Sequence, residues 1–427
     1  MEENKRFWNP NEEKLQERKK PIYKTEGDIR GEYFRDYTRI LHSNAYRRLK
    51  HKTQVFYNID NDHICTRMEH VNHVESVSYS IAFGLHLDLE LTRAIACGHD
   101  VGHAPFGHQG EEIIKKLMAD NLSEDYRREH YPVEDPDFKG KYFWHERNGL
   151  RFVDQIELLP DLGGISRNLN LTYAVRDGIL SHCGEVDENG LKPREEYLEL
   201  HKFQRPGQYM PATWEGCVVK ISDKIAYLGR DIEDAITLNF LSESAKKELQ
   251  EIGKKYVDRE TLNTTGIMHS MISDICNHSS QEKGICLSPE KNELLNEVKR
   301  FNYANIYGSK QFETYKEYSK LVLQSIFTKL LEAYEGEETI QKLEWDYMLL
   351  YPRMIKEFIS FLGKYCDEDL IRKHGGELAK QLDTLDNEKI YGRLENRDVY
   401  VRAIIDYISG MTDSYAIMSF NELISFF

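Results

Sequence analysis

Apolar residues recur at a helical interval along most of the chain. Val71, Val74, Val77, Ile81 and Leu85 share one helix face, and a second apolar helix runs from Leu89 to Cys97 before Gly98. The pattern predicts that both are buried. Val218 to Leu241 repeats the period, with Ile221, Ile225, Leu228 and Ile232 on one side. Amphipathic stretches follow at about 243–276, 290–307, 310–335, 338–362 and 389–425, with little β-branched alternation anywhere. An all-α fold is the consistent expectation. Ala119 to Tyr142 is polar and acidic, holds Pro132, Pro136 and Gly140, and predicts a surface insertion that returns at Phe143 and Trp144. Gly163-Gly164, Glu185 to Gly190 and Pro206 to Pro211 predict loops. The first fifty residues mix Lys, Arg and Glu around Pro10 and Pro21, as in an arm that docks late or against a neighbour. The expected organisation is an arm at 1–50, a core at 51–242 with its polar insertion near 119–142, and a helical region at 243–427. There is no internal repeat, low-complexity tract or sustained heptad.

Composition narrows the classes. The 427 residues give room for two to three domains. No apolar run approaches the roughly 20 residues of a membrane span, and the charged N-terminus lacks an apolar signal core, so a cytoplasmic protein without membrane association is expected. The 7 Cys are scattered, odd in number and without a Cys-x-x-Cys pair, which argues against a disulfide framework and a thiolate zinc site. A metal here needs His and carboxylate ligands, and 16 His are present. The net charge of -15 opposes general nucleic-acid binding, with the locally basic first fifty residues as the one opposing feature.

The densest chemistry is the run His99-Asp100-Val101-Gly102-His103-Ala104-Pro105-Phe106-Gly107-His108-Gln109-Gly110-Glu111, directly after a buried helix. Gly and Pro force tight turns and aim several of its side chains at one volume. A metal centre needs further ligands from separate helices, and two positions stand out. His70 extends the stripe Val74, Val77, Ile81, so its imidazole points inward; taken alone, a His there is more often a satisfied core residue than a ligand. Asp223 opens a polar stripe with Tyr227, Arg230, Asp231 and Asp234 on an otherwise apolar helix. That stripe is costly to bury unless it lines a cavity or meets a cation, and otherwise reads as a solvated face of ion pairs.

These segments together resemble the HD-domain superfamily, and within it the deoxynucleoside triphosphate triphosphohydrolases, or dGTPase-like enzymes. The resemblance rests on Arg67-Met68-Glu69-His70, the run from His99 to Glu111, and Asp223-Lys224-Ile225-Ala226-Tyr227-Leu228-Gly229-Arg230-Asp231. It extends to Arg48 through Val55, Trp144-His145-Glu146, and Asp406 through Asp413. It implies an HD-domain helical core with a helical C-terminal extension that completes the nucleotide pocket. It further implies one divalent metal per site (Mn, Mg, Fe or Zn) held by His70, His99, Asp100 and Asp223, and an acid/base pair of His108 and Glu111, with His108 oriented by Glu111.

By the same resemblance Arg67 contacts the α-phosphate, Lys224 and Tyr227 reach the outer phosphates, and His103 and His145 line the channel. Gln54 and Asp231 read the sugar 3′-hydroxyl, and Lys299 with Tyr307 matches a cation and a sugar-stacking Tyr by spacing. One departure is His73, where many bacterial relatives carry Glu; a hydrogen-bond partner of a ligand is the favoured reading, a further ligand the other. The implied activity is metal-dependent hydrolysis of a dNTP, dGTP or a broader set, to deoxynucleoside and tripolyphosphate. An HD-type phosphodiesterase or nucleotidase is one alternative, and a nucleotide-sensing or single-strand-binding protein with a retained pocket is another. The family also implies a homo-oligomer, tetramer or hexamer, and leaves open a nucleotide activator.

Overall fold

Capping signals fix where the long helices begin. Thr66 accepts from the Glu69 amide at 3.3 Å while the Glu69 carboxylate accepts from the Thr66 amide at 2.7 Å, a reciprocal cap that starts the Arg67–Leu85 helix. Asp88 caps Leu89–Gly98 through the Leu91 amide, and Thr213 caps Trp214–Thr237 through the Gly216 amide. The last helix therefore starts four residues before the apolar period at Val218 would place it.

The computed structural model describes residues 7–22, 27–56, 63–132, 141–182, 189–257 and 264–425. Part of the polar insertion (133–140), Cys183 with most of the loop expected after it, and the middle of the 243–276 stretch (258–263) lie outside the described residues. The fold is all-α. Among the described residues the sheet consists of Leu158–Pro160 antiparallel to Ser166–Asn168, which pairs in parallel with Leu385–Asp386.

The chain forms two compact units. The first comprises Met1–Leu41, Gln54–Asp100 and Asn170–Tyr315. The Arg67–Leu85 and Trp214–Thr237 helices pack together at its centre, with Leu89–Gly98, Tyr173–Ser181, Thr264–His278 and Pro289–Asn302 against one or both. Val77, Ile81, Val218, Ile221, Ile225, Leu228, Ile232 and Phe301 belong to one continuous apolar core. The amino-terminal segment is part of this unit. Leu15 is buried, its carbonyl accepts from the Ala174 amide at 2.9 Å, and Arg18 pairs with Glu32 and Asp36.

The second unit comprises His42–Thr53, Val101–Leu169 and Lys316–Phe427. Gly107–Asn121 packs on Arg397–Ser409, and Pro352–Tyr365 packs on both Arg397–Ser409 and Asp413–Ile424. Asp406 is fully buried and accepts from Arg151 at 2.7 Å, Arg402 at 2.7 Å and the Tyr391 hydroxyl at 2.8 Å. Burial alone would raise its pKa, but the two guanidinium groups outweigh that and hold the carboxyl below its usual range. The polar insertion contributes a short helix, Glu124–His130, with no buried residue.

Candidate functional site

Three of the expected metal donors converge in the first unit with a fourth beside them. The reciprocal cap at Thr66 starts its helix so that Arg67 and His70 stand three residues apart on the first turn. His70 Nε2 lies 3.0 Å from Asp223 Oδ1 and 3.4 Å from His99 Nε2. His99 Nε2 is 3.6 Å from Asp100 Oδ1 and 4.0 Å from Asp223 Oδ1. Donors at about 2.1 Å from one small divalent ion stand roughly 3 Å or slightly more from each other, so these separations fit such an ion. The His99 Nδ1–H donates to the Ala96 carbonyl at 2.7 Å, which leaves Nε2 as the ligating nitrogen. Arg67, almost wholly buried, donates to Asp100 Oδ2 at 2.8 Å and fixes that carboxylate.

The electrostatics favour a cation. Burial keeps His99 neutral, lowering its pKa against the pull of Asp100 and Asp223. Burial opposes charge on His70 too, yet the Asp223 hydrogen bond and the carboxylate charges raise its pKa overall. Burial likewise opposes ionisation of Asp223, and the His70 hydrogen bond with the surrounding imidazoles outweighs it, holding that carboxyl well below the usual range. A pocket that favours a proton on His70 favours a metal ion by the same field.

Of the residues expected to read the nucleotide, Gln54, Arg67, Lys224, Tyr227, Asp231, Lys299 and Tyr307 occupy the same unit, and His103 and His145 belong to the second. Lys224, Tyr227 and Lys299 line one cavity together with Asn189, Asn292 and Asn296. Asp231 continues the Asp223 face and accepts a hydrogen bond from the Tyr307 hydroxyl. Tyr307 is brought there because the Pro289–Asn302 helix widens into a π-turn at Tyr303–Tyr307, while Asn302 donates to the Leu228 carbonyl at 3.0 Å and ties that junction to the Trp214–Thr237 helix. Burial pushes the Asp231 carboxyl up to about 7, against the Tyr307 hydrogen bond. Asp231 Oδ1 and Gln54 Oε1 are buried without a hydrogen-bond partner among the described residues. His73 stands outside the groups of potential ligands among the described residues, and its Nδ1 has no hydrogen-bond partner there.

In the second unit the histidines of the run cluster. The His103 and His145 rings stack at 3.8 Å, and His108 stands edge-on to both, at 5.7 Å and 6.1 Å. Glu111 accepts from His145 Nδ1 at 3.0 Å and pairs with Lys115 at 3.0 Å. Burial opposes ionisation of Glu111, but His145 and Lys115 prevail and keep it a carboxylate, below its usual range. His145, expected only to line a channel, is thus the partner of Glu111. The turn feeding this cluster is contorted. Phe106 adopts a left-handed conformation (φ 63°, ψ 21°), and a Cβ at Gly110 would lie 1.8 Å from the Pro105 carbonyl oxygen. Asp413 holds the turn, accepting from the Phe106 amide at 2.9 Å and from the Thr53 amide and hydroxyl at 3.0 and 2.8 Å. The buried Lys52 ammonium donates to the His103 and Ser409 carbonyls.

Residues 67–228 match the HD domain model, and 377–422 match a phosphohydrolase-associated domain. A deoxyguanosinetriphosphate triphosphohydrolase-like protein of Caldanaerobacter subterraneus subsp. tengcongensis is 32% identical over 93% of this chain and 86% of its own length. The chain belongs to this HD-domain, dGTPase-like family. Proteins of the same description from Desulfatibacillum aliphaticivorans and Clostridium tetani are 33% and 28% identical, over 70% and 94% of this chain and 73% and 88% of their own lengths. Family membership makes the chain an HD-type phosphohydrolase. The HD match spans all four expected donors together with His108, Glu111 and His145, and ends before Asp231, Lys299 and Tyr307; the associated domain contains Asp406 and Asp413. No helix among the described residues is long and apolar enough to cross a membrane.

Lys52 and Asp413 fall inside the motifs that carry the family resemblance, yet their part in the fold is not readable there. Each makes a backbone contact far along the chain, which spacing does not encode. His182 lies outside every motif and has no signal in the sequence. The structure groups it with His99 and Asp100, each offering a donor atom within 4.8 Å of the others.

Proposed function

We propose that the protein hydrolyses a deoxynucleoside triphosphate to the deoxynucleoside and tripolyphosphate, with His70, His99, Asp100 and Asp223 holding one divalent ion. The observation that carries this reading is the cavity shared by Lys224 and Tyr227, on the helix that also bears Asp223, and Lys299, on the Pro289–Asn302 helix. Two ammonium groups and a phenol in one cavity suit a multiply charged phosphate tail better than a single phosphate. The ion, when bound, supplies Lewis-acid polarisation of a phosphoryl oxygen. Arg67 adds a guanidinium for the α-phosphate. His108 donates the proton to the leaving 5′-oxygen, and Glu111, kept ionised, holds His145 in a fixed tautomer and orientation. Gln54 and Asp231 present unpaired buried oxygens suited to the sugar 3′-hydroxyl, with Tyr307 anchored on Asp231.

The dGTPase-like names of the relatives support dGTP as the first substrate to try. A panel of dNTPs and NTPs with Mn or Mg, singly and in pairs, tests the reading by product. Intact tripolyphosphate with free nucleoside is expected. Phosphate or pyrophosphate instead would transfer the reading to a nucleotidase or phosphodiesterase, and tight binding without turnover to a nucleotide sensor. Rates that rise only for mixed nucleotides would reveal an activator.

A further inference from the structure

The end of the Tyr173–Ser181 helix repeats the construction that presents His99. His99 follows the Leu89–Gly98 helix directly, with Nδ1 2.7 Å from the Ala96 carbonyl, three residues back. His182 follows Ser181 directly, with Nδ1 2.8 Å from the Ile179 carbonyl, also three residues back. The backbone angles match: φ -58°, ψ -39° at His99 and φ -65°, ψ -36° at His182. A carbonyl only accepts, so each Nδ1 carries the hydrogen and each Nε2 is the nitrogen able to bind a cation.

The two helix ends are brought together by a reciprocal contact. A Cβ at Gly98 would lie 2.7 Å from Ile179 Cδ1, and a Cβ at Gly178 would lie 2.6 Å from Ile95 Cγ1, so each helix admits the other's isoleucine where it has no side chain. The imidazoles of His99 and His182 consequently stand 5.0 Å apart, nearly perpendicular at 81°. His182 is 1% exposed, and its helix end is held by Lys220, also 1% exposed, whose ammonium donates to the Ser181 and His182 carbonyls at 3.3 and 3.4 Å. A histidine that merely caps a helix terminus gains most as a cation beside the last carbonyls. Here Lys220 already supplies that charge, and the ring is turned instead toward His99 and Asp100.

We propose that His182 is a third imidazole donor of the metal centre, binding a divalent cation together with His99 and Asp100. This rests on the reading of His70, His99, Asp100 and Asp223 as metal donors. A third imidazole shifts the centre away from Mg, which prefers oxygen and keeps its waters, toward Mn, Fe, Co or Zn.

Pulsed electron paramagnetic resonance of the full-length protein loaded with Mn²⁺ alone counts the coupled imidazole nitrogens without reference to activity. Three are expected in the wild type and two in His182→Gln, with Mn²⁺ affinity falling about tenfold or more in the variant. Affinity for Mg²⁺, measured by competition, should change much less. Two coupled imidazoles in the wild type would overturn the role of His182 and leave the other donors standing. Failure of the wild type to bind Mn²⁺ at all would overturn both. If His182→Gln does not fold, the wild-type count alone decides.

Discussion

The donors of the first unit and the histidine cluster of the second are positioned by different means. His70 and Asp223 project from long helices whose starts are capped locally and whose backs are packed into a continuous apolar core. Their directions follow from helical period, and neighbouring side chains can relax around a change. His103, His108, Glu111 and His145 depend instead on backbone pressed against backbone, with a left-handed Phe106 and glycines that leave no room for a Cβ. The first arrangement loses chemistry when a donor is removed. The second loses geometry when a turn is altered.

The largest effect should come from Asp223→Ala. Bound Mn²⁺, read by elemental analysis, and activity should both vanish while circular dichroism stays native, a loss beyond the roughly 10²-fold typical of an outer partner of a ligand. Retained activity would remove Asp223 from the donor set. His108→Ala separates the two regions. It should keep the metal and bind nucleotide, yet turn over about 10²- to 10⁴-fold more slowly. Loss of metal in that variant would break the division between donor and proton-transfer residues.

A pair of glycine substitutions compares the two modes of construction directly. A Cβ at Gly102 would sit 2.1 Å from both the Gly149 nitrogen and the His145 carbonyl oxygen, all backbone. Gly102→Ala should therefore cost about 3 kcal/mol or more in chemical denaturation and displace His145. A Cβ at Gly98 meets only the side chains of Ile179 and Ile40, at 2.7 and 3.1 Å. These can turn aside, and Gly98→Ala should cost nearer ~1 kcal/mol. Equal losses would show that backbone contact is not what distinguishes the regions.

Much of the first arrangement is legible in the sequence for the reason that makes it tolerant. The periods at Val71 to Leu85 and Leu89 to Cys97 locate two helices closely, and the motif residues then fall on known faces. Longer stretches hide their interruptions. The 338–362 stretch divides into Thr339–Lys342, a π-turn at Leu343–Tyr347 and Pro352–Tyr365, and 389–425 breaks around Gly410 between two helices. The three-stranded sheet joins segments more than 200 residues apart and leaves no alternation to detect. Asp413 beneath Phe106, Lys52 beneath His103 and His182 beside His99 are likewise contacts made by the completed fold. Local pattern reaches helix faces, and only tertiary structure shows which helix ends meet.

Sugar selection gives a smaller, tenfold-scale test within the first unit. If Gln54 and Asp231 pair with the 3′-hydroxyl, a dideoxy substrate leaves both unpaired. At about 1 to 3 kcal/mol per buried group, its kcat/KM should fall roughly tenfold or more below that of the deoxy parent. Asp231→Ala should narrow that gap, and ribonucleotides should be poor substrates of the wild type. Equal kcat/KM for all three sugars on the wild-type enzyme would refute this role while leaving the metal donors untouched.

The smallest effect concerns stability and has a definite sign. Burial raises the Asp231 carboxyl to about 7 in the folded protein, against about 3.9 in an unfolded chain. Between those values the folded state binds the extra proton, so this group contributes stability that is fully present below about pH 4 and is lost as pH rises through about 7. Asp234, on the same helix, is raised to about 6 and acts in the same direction, but it is common to wild type and variant. Asp231→Asn reproduces the neutral carboxyl in shape, can still accept from Tyr307, and does not titrate. Relative to wild type, the variant should therefore be nearly neutral below about pH 4 and should gain stability progressively from pH 5 to pH 8. Each tenfold change in proton affinity is worth about 1.4 kcal/mol, so the two pH units between 5 and about 7 set a ceiling of about 3 kcal/mol, and relaxation around the ionised group reduces the gain to the order of 1 kcal/mol. Urea midpoints at the two pH values measure the difference. A stability difference independent of pH, or one that favours the variant more at pH 5, would show that Asp231 is ionised throughout and that Tyr307 and its surroundings hold a carboxylate rather than a neutral acid.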